Sequence, residues 1–418
     1  MKVDEWDTSR RAIRDRAKGA LPGFVFDYLE GGADEERCLN RNSAALQRLL
    51  LVPERLTDVE RTQCETTFFS QPAALPIAIA PTGFNALFWP GGDIALARAA
   101  AALQIPFTLS TAANSTIEEV CGVADLDCWF QLYVFQDRTI AELLMNRALQ
   151  AGCHALLLTV DMPVSGNRLR DVRNKFQRHF SYRRAAFDVV RRPRWTYRML
   201  RAGKPKLANI TVNGAPPSSI AQARELLASG AMDRALTWKS IEWIRKHWPG
   251  PIVLKGLLNP TDADRARSLG VEGIVVSNHG GRQLDCAPAA IEMLYETAQR
   301  VRRDVTVLVD GGFSSGSDIV KALALGAHGV LLGRSVLYGL AVGGERGARA
   351  VLLRLKEDLE RTLRLVGVTR TDELRPHHVM VERYLDHSYG APARSRDADR
   401  VRMRTDLSTS VNDEFDST

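Results

Sequence analysis

The sequence lacks the features of a secreted, disulfide-linked or membrane-spanning protein. Its six cysteines form no Cys-X-X-Cys pair, and the opening MKVDEWDTSRR has no apolar segment of the kind that a secretory signal contains. It also has no apolar run of about 18 residues, which a helix needs to cross a bilayer. We therefore expect a cytoplasmic protein that spans no membrane, while attachment to a membrane surface stays open.

The sequence also has no helix-turn-helix, zinc-finger or RNA-binding pattern, which disfavours nucleic acid as a partner despite the net charge of +7. No residue pattern predicts a metal site either. Much of the positive charge lies in 178–206, where ten basic residues accompany one acidic residue and several aromatic rings. Such a mixture suits lipid headgroups and the acyl boundary beneath them. A solvated or disordered insertion is the alternative interpretation.

Eight short apolar runs rich in β-forming residues begin at residues 77, 106, 129, 155, 252, 273, 305 and 328. Amphipathic helical patterns lie between most of them. This alternation predicts an α/β fold of the (β/α)₈ TIM-barrel type. The predicted organisation is an N-terminal helical lead-in at 1–76, a barrel at 77–373 with a basic insertion at about 174–215 after the fourth strand, and a C-terminal extension at 374–418. We expect the extension to be largely disordered from about residue 388.

Polar residues and glycines follow each predicted strand, at the end of the barrel where binding and catalytic side chains lie. In chain order they are Pro81, Thr82, Gly83, Ser110, Gln131, Tyr133, Thr159, Asp161, Lys255, Ser277, His279, Asp310, Gly311, Gly312, Gly333 and Arg334. Since the carboxyl ends of all eight strands face one mouth, we expect a single site there.

The glycines after the seventh and eighth strands predict a phosphate-binding cradle. Backbone N–H groups at Gly311, Gly312 and Gly333, with Arg334 as a charged clamp, would bind a phosphomonoester such as that of FMN. Lys255 could lie against one edge of a flat ring and stabilise its anionic reduced state.

The segment SNHGGRQLD places His279 and Arg282 three residues apart just beyond the sixth strand. This spacing allows a base and a carboxylate-binding cation to act on one small substrate. Asp161 could pair with the histidine and stabilise its protonated form. Arg168, in SGNRLRD, would supply the second cation for the carboxylate.

Several segments together resemble the FMN-dependent 2-hydroxy acid dehydrogenases and oxidases, from about Phe24 to Val368. They include FVFDYLEGGADEE, IAPTGFNALFWPGGDIALARAA, LLTVDMPVSGNRLRD, SNHGGRQLD and LVDGGFSSGSDIVKALALG. The resemblance implies that His279 takes a proton from the substrate, that Asp161 supports it, and that Arg168 and Arg282 hold the carboxylate. It also implies substrate hydrogen bonds from Tyr28 and Tyr133. The other residues at the strand ends would contact FMN.

Two positions depart from the family pattern. Ser314 and Ser315 stand where the family usually has two arginines, which removes a cation near the phosphate and predicts looser FMN binding. Ala112 stands where glycolate oxidases have tryptophan, which leaves room for a larger substrate. With Gly83, this segment most resembles the members that oxidise mandelate, so an aryl (S)-2-hydroxy acid is the favoured substrate. Oxidation of L-lactate, or use of oxygen as acceptor, is the alternative.

The basic insertion resembles the membrane-attaching segment of bacterial mandelate and lactate dehydrogenases. The resemblance implies a peripheral protein on the inner face of the cytoplasmic membrane, with a quinone as electron acceptor, and a homotetramer. A non-redox flavin barrel is disfavoured, because SNHGGRQLD with Arg168 suits a carboxylate and an abstractable proton. A cofactor-poor scaffold is supported only by Ser314 and Ser315.

Overall fold

The computed structural model of the chain describes residues 9–174, 187–210, 232–301 and 304–382. In chain order the strands are β1 (Leu49–Leu51), β2 (Thr66–Phe68), β3 (Gln71–Ala73), β4 (Ile77–Ile79), β5 (Phe107–Ser110), β6 (Cys128–Leu132), β7 (Ala155–Thr159), β8 (Ile252–Leu257), β9 (Gly273–Val276), β10 (Thr306–Val309), β11 (Gly329–Leu332) and β12 (Val379–Val381).

The helices of the described residues are α1 (Arg10–Ala20), α2 (Gly23–Glu30), α3 (Arg37–Arg48), α4 (Gly92–Ala101), α5 (Ile117–Cys121), α6 (Arg138–Gln150), α7 (Leu169–Arg173), α8 (Pro193–Ala202), α9 (Ser240–His247), α10 (Pro260–Ser268), α11 (Ala290–Val301), α12 (Gly316–Ala324) and α13 (Arg334–Val366). The last of these bends at Gly343 and Gly344, whose backbone angles are not helical.

Strands β4 to β11 close into a parallel barrel, which confirms the predicted (β/α)₈ fold. Each of the eight apolar runs forms one of these strands. The strands are buried on both faces, because alternate residues point into the barrel or toward the surrounding helices. In β7, for example, Ala155 and Leu157 belong to the cluster inside the barrel, whereas Leu156 and Leu158 belong to the larger outer core.

The antiparallel hairpin of β2 and β3 covers the amino end of the barrel. The rings of Phe68 and Phe69 pack there on Trp129, at centroid distances of 5.7 and 5.4 Å. A Cβ at Gly273 would lie 2.8 Å from the Phe69 ring, and one at Gly329 would lie 2.5 Å from the Phe68 ring. Glycine at the start of β9 and β11 therefore leaves room for these two rings, which close the amino end of the barrel. The carboxyl end is the open end.

The segment before the barrel contains short strands in addition to helices. It contains α1, α2 and α3, but also the β2–β3 hairpin and strand β1, which pairs antiparallel with β12 near the C-terminal side. Short strands of three residues carry too little periodicity to be distinguished from loops. The disorder predicted after residue 388 falls outside the described residues.

The basic insertion is described in part, since 175–186 and 211–231 lie outside the described ranges. Helix α8 is anchored by Trp195, which is buried and whose indole Nε1 donates to the carbonyl of Leu87 at 2.8 Å. The guanidinium of Arg198 lies 3.9 Å from the centre of the Trp89 ring. Among the described helices, none combines the length and apolarity that a membrane span requires.

Candidate active site

A cavity of about 430 Å³ opens at the carboxyl ends of the barrel strands. Nearly all of the residues predicted from the strand ends line it, together with Tyr28, Arg168 and Arg282. The two exceptions are Asp161 and Ser277, which lie behind the residues that line the cavity. Asp161 contacts His279, and Ser277 contacts Lys255. The fold thus brings the whole predicted set to one place.

His279 and Asp161 form the central polar pair of the cavity. The imidazole Nδ1 lies 2.9 Å from Asp161 Oδ1, and the histidine backbone N–H donates to Ser277 Oγ at 3.0 Å. Burial raises the pKa of Asp161, but the neighbouring His279 outweighs it and the pKa is lowered overall. An ionised carboxylate only accepts, so Nδ1 carries the proton of the pair and Nε2 keeps a lone pair.

The position of Asp161 depends on Gly256 in β8. A Cβ at Gly256 would lie 2.5 Å from Asp161 Cβ, and the glycine has a φ of 109°, which side chains rarely adopt. His279 itself has a φ of 57°, so it lies in the left-handed region at the turn after β9. Sequence reasoning missed Gly256, although its place directly after Lys255 could have indicated a close approach.

Two arginines give the mouth of the cavity a positive charge. Arg282 is partly buried and donates to the carbonyls of Tyr28 and Gly31 at 3.0 and 2.7 Å. Arg168 lies nearby, with its Nε 3.4 Å from Asp171 Oδ2. Burial lowers the pKa of Arg282 to about 9, and the positive charges of Arg168 and Arg334 act in the same direction. A buried cation with this surplus of positive neighbours is stabilised by an anionic ligand.

Lys255 forms a buried ion pair on the floor of the cavity. Its Nζ lies 3.0 Å from Asp310 Oδ2 and donates to Ser277 Oγ at 3.0 Å. Burial would lower the pKa of this lysine, but the carboxylates of Asp310 and Asp161 outweigh it and the pKa is raised. The floor therefore presents a fixed cation at neutral pH.

Several buried polar atoms beside this lysine have no hydrogen-bond partner within the described part of the chain. They are Gln131 Nε2, Thr159 Oγ1 and Asp310 Oδ1. The oxygen of the Gln131 amide is already paired, because Ser110 Oγ donates to Gln131 Oε1 at 3.0 Å. Leaving such groups unpaired costs about 1–3 kcal/mol each. Donors and acceptors on a flat ring system such as a flavin would satisfy them, so the residues present fit FMN.

Ala112 and the two tyrosines shape the space above the floor. Ala112 is buried, and a Cβ on the neighbouring Gly83 would lie 2.9 Å from its own Cβ. The Tyr28 hydroxyl donates to the Gly83 carbonyl at 3.5 Å. Burial, with the charge of Asp161, raises the pKa of Tyr133, so this phenol stays protonated and can donate.

Arg334 has contacts that the sequence did not indicate. Its Nε donates to the carbonyl of Leu29 at 3.1 Å, while its two Nη atoms donate to Gly280 and Gly31 at 2.8 and 3.0 Å. Burial lowers the pKa of this arginine. Its guanidinium therefore ties the end of α2 to the loop after β9, in addition to lining the cavity.

The two serines in place of arginines serve the backbone of α12. Ser315 caps this helix by accepting from the Asp318 N–H at 3.1 Å, and the Ser314 carbonyl accepts from Arg354 Nη2 at 2.6 Å. Arg10 and Arg14 of α1 also line the cavity, as does Ser314. Sequence reasoning missed both arginines, because nothing in the pattern of α1 shows that this helix reaches the barrel mouth.

Comparisons with known proteins identify the family to which the chain is similar. Residues 17–381 match the family described as FMN-dependent dehydrogenase. The chain is 43% identical over 363 residues to (S)-mandelate dehydrogenase of Pseudomonas putida, covering 87% of this chain and 91% of that protein. It is 40% identical over 368 residues to an L-lactate dehydrogenase of Pseudomonas syringae, covering 88% of this chain and 97% of the relative.

Solved structures agree as well. A crystal structure described as the monotopic membrane protein (S)-mandelate dehydrogenase matches with a TM-score of 0.85 and 42% identity, covering 90% of this chain and 99% of that one. These matches extend over most of the chain and include the barrel whose cavity suits a flavin. The protein belongs to the FMN-dependent dehydrogenase family.

Proposed function

We propose that the protein oxidises an (S)-2-hydroxy acid to the corresponding 2-oxo acid. The observation that carries this proposal is the His279–Asp161 pair, 2.9 Å apart, in the same cavity as the cations of Arg282 and Arg168. A 2-hydroxy acid has one carboxylate and one carbon that must lose hydrogen. The cavity offers two arginine cations for the carboxylate and a histidine base for the removal of hydrogen.

The proposed roles follow from the contacts. FMN, when bound, would accept the two electrons and one of the two protons that the substrate loses. His279 Nε2 accepts one of the two protons that the substrate loses, and Asp161, held ionised, stabilises the resulting imidazolium. Arg282 and Arg168 bind and orient the carboxylate, while Tyr133 donates a hydrogen bond to the substrate oxygens. Tyr28 stacks below Arg282, whose guanidinium carbon lies 5.2 Å from its ring centre, and its hydroxyl would contact the substrate.

The remaining lining residues would hold FMN. Lys255, positioned by Ser277, would lie at one edge of the flavin ring together with Gln131, Ser110 and Thr159. Backbone groups of Pro81, Thr82 and Gly83 would lie along the ring. Asp310 would bind the ribityl chain, while Gly311, Gly312, Gly333 and Arg334 would bind the phosphate. Arg10, which lines the same cavity, would offset part of the charge that the two serines remove, whereas Arg14 is already paired with Glu30 at 2.7 Å.

An aryl substrate is the favoured one, with L-lactate as the second candidate. Ala112 and Gly83 leave space above the cavity floor, and the most similar curated relatives include both a mandelate and a lactate dehydrogenase. With purified protein and FMN kept free of oxygen, mandelate is expected to bleach the bound-flavin absorbance faster than lactate. No bleaching by any 2-hydroxy acid would contradict the proposed function.

The substitution Ala112→Trp tests the substrate assignment. Because the indole would fill the space above the floor, kcat/KM for mandelate should fall by at least about tenfold, within the range that pocket shape alone can produce. The same variant should keep its kcat/KM for lactate within about threefold, so lactate is the internal control. An equal loss for both acids would show that this position does not select the substrate.

Peripheral attachment to a membrane is proposed for the basic insertion. On α8, the face opposite the buried Trp195 carries Tyr197 and Leu200, which are 64% and 79% exposed. Phe187 and Val190 just before it are 60% and 76% exposed. Basic side chains surround this patch, a combination that favours the interface of an anionic bilayer. We further propose the inner face of the cytoplasmic membrane, a quinone as electron acceptor and a homotetramer.

Replacing Leu200 with aspartate should weaken this attachment. Wild-type protein is expected to sediment with anionic vesicles at low salt. The variant loses the free energy of burying the leucine side chain in the bilayer, about 1.5–3 kcal/mol, and its new carboxylate is repelled by the anionic lipids. The partition coefficient of the protein onto the vesicles should therefore fall by at least about tenfold. The matched control is Leu365→Asp, since Leu365 is 65% exposed on α13. Equal sedimentation of both variants would reject α8 as the membrane contact.

A further inference from the structure

Three cysteines meet at the end of the barrel opposite the candidate active site. Cys128 begins β6, Cys153 lies just before β7, and Cys121 ends α5. The Sγ atoms of Cys121 and Cys153 are 3.2 Å apart, and those of Cys153 and Cys128 are 3.9 Å apart. Their spacing along the chain forms no Cys-X-X-Cys motif, so only the parallel pairing of β6 and β7 brings them together.

The surroundings of these sulfurs are mostly apolar. Cys128 and Cys153 are 3% and 5% exposed, whereas Cys121 is partly open to solvent. Glu118, whose carboxylate interacts electrostatically with Cys121 and Cys153, is held by Arg147 through two hydrogen bonds of 2.8 and 2.7 Å. Its carboxylate is therefore already paired.

We propose that Cys121, Cys128 and Cys153 bind one thiophilic divalent ion, with Zn²⁺ as the best fit and water as the fourth ligand. Thiolates are soft ligands that select zinc over magnesium or calcium. Within the described residues the cluster offers three donor atoms, all within 4.8 Å of one another. Three protein ligands with an open fourth position are an established zinc arrangement, and the exposed side of Cys121 gives water access.

The distances suit such an ion with little movement. Zinc–sulfur bonds of about 2.3 Å in a tetrahedral arrangement separate the sulfurs by about 3.8 Å. The pair at 3.9 Å already matches this separation, and the pair at 3.2 Å must open by a fraction of an ångström. Cys121 can make this movement, because it lies at the end of the short helix α5 and is followed by Gly122.

The charge balance favours a divalent ion. Each Zn–S bond replaces an S–H bond and releases one proton to solvent, with no electron transfer. Three thiolates and Zn²⁺ leave a net charge of about −1, whereas a monovalent ion would leave about −2 in an apolar environment. An ion at this site would link α5 to β6 and to the start of β7, so we expect it to stabilise the fold rather than to take part in turnover.

The site can be tested on the FMN-loaded full-length protein. After addition of Zn²⁺ and dialysis, wild type is expected to retain one zinc per chain, measured by elemental mass spectrometry. Cys121→Ser should lower the affinity by at least about 100-fold, because loss of even an indirect supporting group costs 10–100-fold. Cys286→Ser is the matched control, since Cys286 is an exposed thiol outside the cluster, and it should retain the zinc.

A second surface cluster must be separated from this one. Glu54, His377 and His378 also lie close enough to share an ion. His378 Nδ1 lies 3.0 Å from the backbone N and 3.2 Å from the carbonyl of Arg375, and its Nε2 lies 3.3 Å from Glu54 Oε1, so these groups are already engaged by one another and by the backbone. His377→Gln is therefore expected to leave the zinc content unchanged.

Thiol alkylation gives a readout that needs no variant. Zinc should protect Cys121, the partly exposed member of the cluster, from iodoacetamide, while the exposed Cys286 continues to react. Turnover should stay within about twofold, because the ion lies at the opposite end of the barrel from His279. The proposal is overturned if wild type retains no zinc, if Cys121→Ser retains as much as wild type, or if protein isolated without reductant contains a Cys121–Cys153 disulfide.

Discussion

Replacing His279 with glutamine is expected to lower kcat by about 10²–10⁴-fold, the usual contribution of a positioned general base. Glutamine can still donate a hydrogen bond to Asp161, which keeps the buried carboxylate paired, but it cannot accept a proton from the substrate. The loss should therefore be in kcat, while the amount of bound FMN stays the same. Both can be followed by stopped-flow measurement of flavin bleaching under anaerobic conditions. The rate of bleaching reports the chemical step, and its amplitude reports the amount of bound FMN.

A matched control exists in the same barrel. His154 also pairs with a carboxylate, through Nδ1 at 3.2 Å from Asp127 Oδ1, but it lies at the amino ends of the strands. We expect His154→Gln to change kcat by less than about threefold, since it has no contact with the cavity. If His279→Gln bleaches the flavin as fast as wild type, His279 is not the base and the proposed mechanism fails.

The second large effect is expected from Arg282→Met. Methionine fills similar space without the charge, so the substrate loses one charge-assisted contact worth about 1.5–3 kcal/mol. This corresponds to a fall in kcat/KM of about 10- to 150-fold. The effect should be largest for carboxylate substrates, since Arg282 lies in a positively charged region, where burial and then the charges of Arg168 and Arg334 lower its pKa. Initial rates with mandelate over a range of concentrations give the ratio.

An uncharged substrate separates recognition of the carboxylate from loss of structure. Mandelamide lacks the anion, so we expect wild type and Arg282→Met to process it at rates within about fivefold of each other. Arg300→Met is the surface control, because Arg300 pairs with Asp264 and Glu296 on exposed helices. A proportional loss for the amide and the acid would mean that Arg282 only supports the fold, through its bonds to the carbonyls of Tyr28 and Gly31.

Much of the active site could be predicted from sequence because a parallel barrel maps chain position onto space in a simple way. Each strand ends at the same mouth, so the residue after an apolar run is placed without knowledge of the packing. His279, Lys255 and Asp310 were predicted by this rule. The same rule cannot predict Arg10 and Arg14, because they come from a helix outside the barrel whose docking depends on tertiary packing.

The roles of individual cations were less predictable than their positions. The sequence predicts Arg334 as a charged clamp for phosphate, and in the structure its guanidinium also donates to three backbone carbonyls at the end of α2 and after β9. Ser314 and Ser315 were considered only as a loss of charge. The structure shows Ser315 as a helix cap and Ser314 near the guanidinium of Arg354. Hydrogen-bond partners from distant segments have no sequence signal.

The sequence by itself determined the barrel fold and the end of the barrel at which the candidate active site lies. The hydrophobic period and the order of the strands can both be read directly along the chain. It also carried the motifs of the FMN-dependent dehydrogenase family. Only the tertiary structure decided several other contacts between distant elements: the close approach of Asp161 that Gly256 permits, the arginines of α1 that line the cavity, and the three cysteines at the closed end. Contacts of this kind depend on the geometry of packing between strands and helices, which no pattern along a single chain encodes.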